Sequence, residues 1–171
     1  IVAYKDFYTE IIDTINARRY KAFKSLNKHH IEHNFELGEI IVKHQEKQSW
    51  GQSIVEKLST DITKQIDGLS GYSPQNLWRM RQFHLEYKDN PDLIELAKQI
   101  PWGQNMLIIH QEKNENERRY YLEATAKLGW SRAVLLNQIK ADAYKHHVKD
   151  KKLTNFERTL PSHLSEQANE A

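Results

Sequence analysis

Residues that could do chemistry fall in four places along this sequence. The first is His29-His30-x-x-His33, where His29 and His33 stand one helical turn apart, the spacing of a two-histidine metal site. The residue after His29 is a second histidine, not the glutamate of an H-E-x-x-H site, and the chain has no cysteine. The second is a pair of separated pieces, Pro91-Asp92 and Asp150-Lys151-Lys152. Together they spell the P-D…(D/E)-x-K of a metal-dependent nuclease. That chemistry needs carboxylates on adjacent strands sharing a divalent cation, and here they are far apart in helical sequence. There is no glycine-rich phosphate loop and no Ser/His/Asp arrangement. No catalytic residue, metal or cofactor is therefore expected.

The third place is Gly71-Tyr72-Ser73-Pro74-Gln75-Asn76-Leu77-Trp78-Arg79-Met80-Arg81-Gln82-Phe83. Ser73 suits an N-cap and Pro74 the first helical position, where its missing N–H has no partner to lose. At about 100° per residue, Leu77, Met80, Phe83, His84 and Tyr87 share one face, expected to pack on Ile54, Leu58 and Ile62. Gln75, Trp78, Gln82 and Glu86 fall opposite, with Arg79 and Arg81 on the flanks. Asn76 lies nearer the core face and serves the first turn. Gln can read an adenine edge, Arg can read guanine or hold phosphate, and Ser73 with the free N–H groups of the first turn can hold a phosphate. The fourth place is a lysine-rich stretch beginning near Lys140, suited to phosphate contacts or to plain solvation. The candidate DNA-binding residues are Ser73, Gln75, Arg79, Arg81, Gln82 and Lys140. The same polar residues also suit a solvent-facing helix, and Trp78 suits contact with another helix or subunit.

The elements that must position these residues are all helices. Apolar residues recur with helical period at Tyr4, Phe7, Tyr8, Ile11, Ile12 and Ile15, then at Tyr20, Phe23, Leu26 and His30, and resume from Phe35 to Ile41. Gly38 in that last stretch costs about 1 kcal/mol against alanine, which predicts a close helix–helix contact there. Ile54, Val55, Leu58, Ile62 and Ile66 form the next face. After Asn90 a short helix (92–98) is expected, then one from Pro101 to about His110, one over 115–128 ended by Gly129, and one capped by Ser131 running to about Tyr144. Strand-like alternation is almost absent.

An internal echo accompanies these elements. Trp50-Gly51-Gln52 recurs as Trp102-Gly103-Gln104, and Gly71-Tyr72-Ser73-x-x-x-Leu77 as Gly129-Trp130-Ser131-x-x-x-Leu135. Each half has a helix, a glycine, an aromatic, a serine cap and a new helix. The reading is an all-α helical bundle with a helix-turn-helix at about 51–87. Whether the second, helix-turn-helix-like repeat touches DNA stays open; its helix reads mainly as scaffold.

With 171 residues, 39% hydrophobic and 28% charged, the chain is long enough for one packed domain. No apolar run nears the roughly 20 residues of a membrane helix, so no membrane partner is expected. The lack of cysteine fits a reducing cytoplasm. A net charge of +2 puts the weight of any nucleic-acid argument on local charge. Because the chain begins Ile1-Val2, it is expected to be a segment of something longer.

The residues resemble a known family, the N-terminal domain of YhcG-like bacterial proteins (domain of unknown function 1016). The resemblance lies in Leu37-Gly38-Glu39-Ile40-Ile41-Val42, Leu58-Ser59-x-Asp61-Ile62, Gly71-Tyr72-Ser73-x-x-Asn76-Leu77-x-x-Met80-Arg81-x-Phe83 and Ile100-Pro101-Trp102. It continues in Tyr120-Tyr121-Leu122 and Gly129-Trp130-Ser131-x-x-x-Leu135-x-x-Gln138-Ile139. It implies a helical, DNA-binding domain followed by a PD-(D/E)xK nuclease domain that this chain does not contain. One departure is Gln104, where a histidine is expected. The expected organisation is a helical N-terminal domain over 1–145 and a basic linker over 146–171, serving to bring a nuclease domain to DNA. The alternative is a protein-interaction or oligomerisation module, a homo-oligomer included.

Overall fold

The computed structural model describes residues 2–159, with side chains from 3 to 151. Eight helices and no strand occur among the described residues: α1 (Val2–Gln48), α2 (Gln52–Gln65), α3 (Pro74–Tyr87), α4 (Pro91–Ala97), α5 (Trp102–Gln111), α6 (Glu115–Leu128), α7 (Arg132–Lys140) and α8 (Ala143–Thr159). The fold is all-α, as the periodicity predicts. Several boundaries come from local chemistry. Ser73, Asn90, Asn114 and Ser131 each accept a backbone N–H of the helix they cap. Gly129, at φ 66°, ends α6 in the left-handed conformation that glycine adopts without Cβ strain. The region read as a basic linker from 146 is helical as far as Thr159. The rest of it, 160–171, lies outside the described residues.

α1 is one unbroken helix of 47 residues. Its second half is the wall of the body, burying Ile31, Asn34 and Val42. Gly38 lies between these, and a Cβ there would stand 2.1 Å from the Met80 carbonyl oxygen and 2.7 Å from its carbon. The two backbones touch, so the close contact expected at Gly38 is present, and its partner is α3.

α3 is thereby the central helix. Leu77 and Met80 pack with Val55 of α2, while Phe83 and Tyr87 join a larger cluster with Leu93, Ile100, Ile108, Ile109, Tyr121 and Leu122. Trp102 bridges the two clusters, its ring 5.3 Å from that of Phe83 in a T-shaped contact. Ile62 packs against the Val55–Leu77–Met80 cluster, as expected, but Val55 is its buried α2 member, and the expectation that α2 is the main support of α3 is corrected. Leu58 is exposed, and α1 is the main support, because glycine lets it approach more closely than α2 can.

Buried polar groups fix the turns. Asn105 Nδ2 donates to the carbonyls of Ala97, Ile100 and Pro101 at 2.9–3.1 Å. From α1, Asn27 Nδ2 reaches Lys98 and Ile100 in the same turn. Arg118, almost wholly buried, donates to the carbonyls of Glu112 (2.7 Å) and Ile109 (3.3 Å) at the end of α5 and to Glu86 (2.8 Å) of α3. It satisfies orphan carbonyls at a helix C-terminus with a charge of the favourable sign.

The first half of α1 is different. Tyr4, Phe7, Tyr8, Ile11, Ile12, Ile15, Phe23 and Leu26 are all exposed, although their spacing reads as a core face. The helix simply runs past the body.

A groove at the other end of the body gathers Glu112, Glu117, Lys140, Asp142 and Lys145. Burial pushes the Glu112 carboxyl up to about 7, helped by a hydrogen bond with Glu117 and by repulsion from Glu117 and Asp142.

Gly38→Ala tests the backbone contact by its sign. On an exposed helix it would stabilise by about 1 kcal/mol; here overpacking should destabilise by about 1–3 kcal/mol, and Leu77→Ala by about 2–5 kcal/mol. Denaturant titration reads both. The folded protein also binds more protons at Glu112 than the unfolded chain, so stability is fullest below the unfolded value and falls as pH rises toward about 7. Glu112→Gln should flatten the melting temperature against pH between about 5 and 7 and raise it at alkaline pH.

Candidate nucleic-acid interface

The α2–α3 connection, residues 66–73, is longer than the three or four residues of a compact helix-turn-helix. It is held by Ser59 Oγ, which donates to the Tyr72 carbonyl at 2.7 Å, and by Tyr72 Oη, hydrogen-bonded to His33 Nε2 at 2.8 Å. Ser73 then caps α3 through Asn76 N at 3.2 Å. Asn76 is spent inside the fold, as expected: its Nδ2 donates to the Gly71 carbonyl and its Oδ1 accepts from Trp102 Nε1 at 2.9 Å.

Of the predicted residues, Gln75 is exposed and Arg79 and Gln82 are half-buried. With the exposed Glu86 they follow one another at helical spacing along α3. None of Gln75, Arg79 and Gln82 makes a side-chain hydrogen bond or ion pair among the described residues, whereas Glu86 is taken by Arg118. Arg81 is turned to a different task. Its Nε donates to Gln45 Oε1 of α1, and its guanidinium lies 5.2 Å from the Trp78 ring centroid. Trp78, expected nearly opposite the core, is half-buried against the Val55–Leu77–Met80 cluster.

Three helix starts converge beside this strip. Trp102, first residue of α5, is bonded to Asn76 in the first turn of α3. The next residue, Gly103, meets the Arg132 side chain at the start of α7, where a Cβ would stand 2.9 Å from Arg132 Cδ. Gln104 Nε2 donates to the Trp130 carbonyl at 3.2 Å in the turn before α7. The two Gly-aromatic-Ser turns therefore flank the start of α5 on either side. Gln104, where the resemblance leads one to expect histidine, is one of the bonds that join them. Free first-turn N–H groups and the positive ends of three dipoles gather here.

Arg132 is exposed at this point and was missed in the sequence. Its position after a serine cap was legible, but its nearness to the start of α5 was not. Lys140 lies at the opposite end of α7, in the groove with Glu112 and Asp142, and is not brought together with the α3 residues. The α6–α7 turn, residues 129–131, is the tighter of the two.

The pieces weighed for metal or nuclease chemistry stay dispersed. His33 is bonded to Tyr72, His29 lies 3.9 Å from Glu32, and Asp92 is exposed in the first turn of α4. No group of three or more metal-ligating side chains occurs among the described residues. No helix among them is long and apolar enough to cross a membrane.

Neither the curated proteins nor the solved structures contain a match to this chain. The family model described as the DUF1016 N-terminal domain does match, over residues 10–146. That span takes in most of α1, the whole of α2 to α7 with both serine-capped turns, and the start of α8. On a match of that extent, the chain belongs to the DUF1016 N-terminal domain family.

Proposed function

We propose that this domain binds DNA, with its contact surface at the joined starts of α3, α5 and α7, and that it serves to bring a nuclease domain to its target. The observation that carries the reading is the strip of Gln75, Arg79 and Gln82. It runs from a capped helix start and keeps its donors and acceptors unspent, while neighbouring Asn76 and Arg81 are consumed by the fold. The exposed Arg132 at a helix start suits phosphate, the half-buried Arg79 a turn into α3 suits guanine or phosphate, and the amides beside Arg79 suit adenine. Within this reading Ser73 and the first-turn N–H groups position phosphate, Gln75, Arg79 and Gln82 meet base edges, and Arg132 adds a phosphate contact. Arg81 supports α3 from within.

Arg79→Ala should weaken binding of a labelled duplex by about 1–3 kcal/mol with an unchanged melt. Gln75→Ala should relax sequence preference more than affinity. Arg132→Ala should lower the slope of log affinity against log salt by about one, and Arg81→Ala should lower the melting temperature. Titration at two salt concentrations beside thermal melts reads all four. A folded Gln75→Ala, Arg79→Ala double variant with parent affinity would sink the reading.

The cutting activity would lie in the separate domain. Incubation with plasmid and magnesium or manganese should leave the DNA intact. Cleavage that disappears in Asp92→Ala or Asp150→Ala would overturn this.

A further inference from the structure

The first half of α1 carries nine apolar side chains between Tyr4 and Leu26, each 36–70% exposed, and eight of them, all but Tyr20, share one face. At about 100° per residue these eight fill an arc centred roughly 155° away from the face that Ile31, Gly38 and Val42 turn to the body. The described body therefore does not cover this stripe by extending its own packing. Its length is about 33 Å at 1.5 Å per residue.

We infer that the stripe pairs with the same stripe of a second copy, antiparallel, as the dimer contact of this domain. Area, self-complementarity and charge each support that occupant. At roughly 100 Å² each, from the 150–250 Å² an aromatic side chain can bury, the eight offer roughly 800 Å² per copy. That is the share each partner gives to a standard stable interface.

The order of side chains is self-complementary when two helices cross antiparallel about Ile15. Tyr4 then meets the partner's Leu26, Phe7 meets the partner's Phe23, and Ile15 meets the partner's Ile15.

Charge selects the direction. From Tyr4 to Ile15 the ionisable groups include Asp6, Glu10 and Asp13 against Lys5 alone. From Asn16 to Lys28 they are Arg18, Arg19, Lys21, Lys24 and Lys28 with no acid. A parallel pair would set Arg18 and Arg19 beside their own copies. The antiparallel pair sets them level with the partner's Ile12 and Ile11 instead, and lays each basic half along the partner's acidic half. Because the body begins near Asn27, the two bodies lie beyond opposite ends of the overlap and do not collide.

The 171-residue chain should sediment as a dimer at micromolar concentration. Ile11→Asp with Ile15→Asp should make it monomeric without moving the melt of the body, since neither residue touches it. The native chain lacks cysteine, so direction can be read by oxidation. A mixture of Phe7→Cys and Phe23→Cys chains should cross-link, and Phe7→Cys alone should not. A monomeric parent, including one that binds anionic phospholipid vesicles instead, would overturn the inference. So would a dimer that survives the aspartates, or Phe7→Cys cross-linking to itself in preference to Phe23→Cys.

Discussion

Two backbones in contact at Gly38 set the arrangement of everything else. Because a Cβ there would stand 2.1 Å from the Met80 carbonyl oxygen, α1 and α3 approach more closely than any residue but glycine allows at that point. That draws α3 off the surface and into the middle. Its two ends then reach different clusters, Leu77 and Met80 toward α2, Phe83 and Tyr87 toward α4, α5 and α6. A helix held this way has little surface left. What remains is the strip of Gln75, Arg79, Gln82 and Glu86, and the candidate interface is narrow for that reason.

The starts of α3, α5 and α7 are brought together by side chains that leave few buried polar groups unpaired. Asn27 and Asn105 both serve the turn before α5, so the place where Trp102 begins its helix is fixed from α1 and from within. Arg118 fixes the other end. A buried guanidinium with one carboxylate and two carbonyl acceptors compensates much of its desolvation, and truncating such a group leaves its partners stranded. With α5 pinned at both ends, Trp102 and Gln104 hold the flanking turns in register.

Periodicity, capping residues and glycines made the helices legible, down to Glu115–Leu128 with Asn114 before it and Gly129 after it. Local signals also showed that Ser73 caps and that Asn76 faces inward. Partners were a different matter. A helical stripe says which side of a helix is apolar and nothing about what covers it. So the Tyr4–Ile15 stripe looks like core and is exposed, and α3 looks like the mate of α2 and is chiefly that of α1. Arg81 reads as a free guanidinium until Gln45, distant in sequence, is placed beside it. Lys140 reads as a possible DNA contact, yet it lines the groove with Glu112, at the far end of α7 from Arg132 and Gly103. Long-range pairing is what single-sequence reasoning lacks, and interfaces consist of it.

The outer half of α1 poses the remaining physical question, since a helix that packs on nothing among the described residues must be stabilised somehow. Nucleation is not its difficulty. The turns from Asn27 to Gln45 are held by the body, so outer turns add by propagation, one hydrogen bond per residue fixed. Propagation alone is close to neutral for ordinary residues, and Ile11, Ile12 and Ile15 are stiff β-branched residues that favour helix less than leucine or alanine. Polar solubilising residues would be the economical choice for a bare rod, yet the sequence puts three isoleucines and several aromatic rings on one side of it. Their gain comes only when that side leaves water. A covering helix would therefore stabilise α1 and join two chains in one step, which couples the order of the rod to assembly.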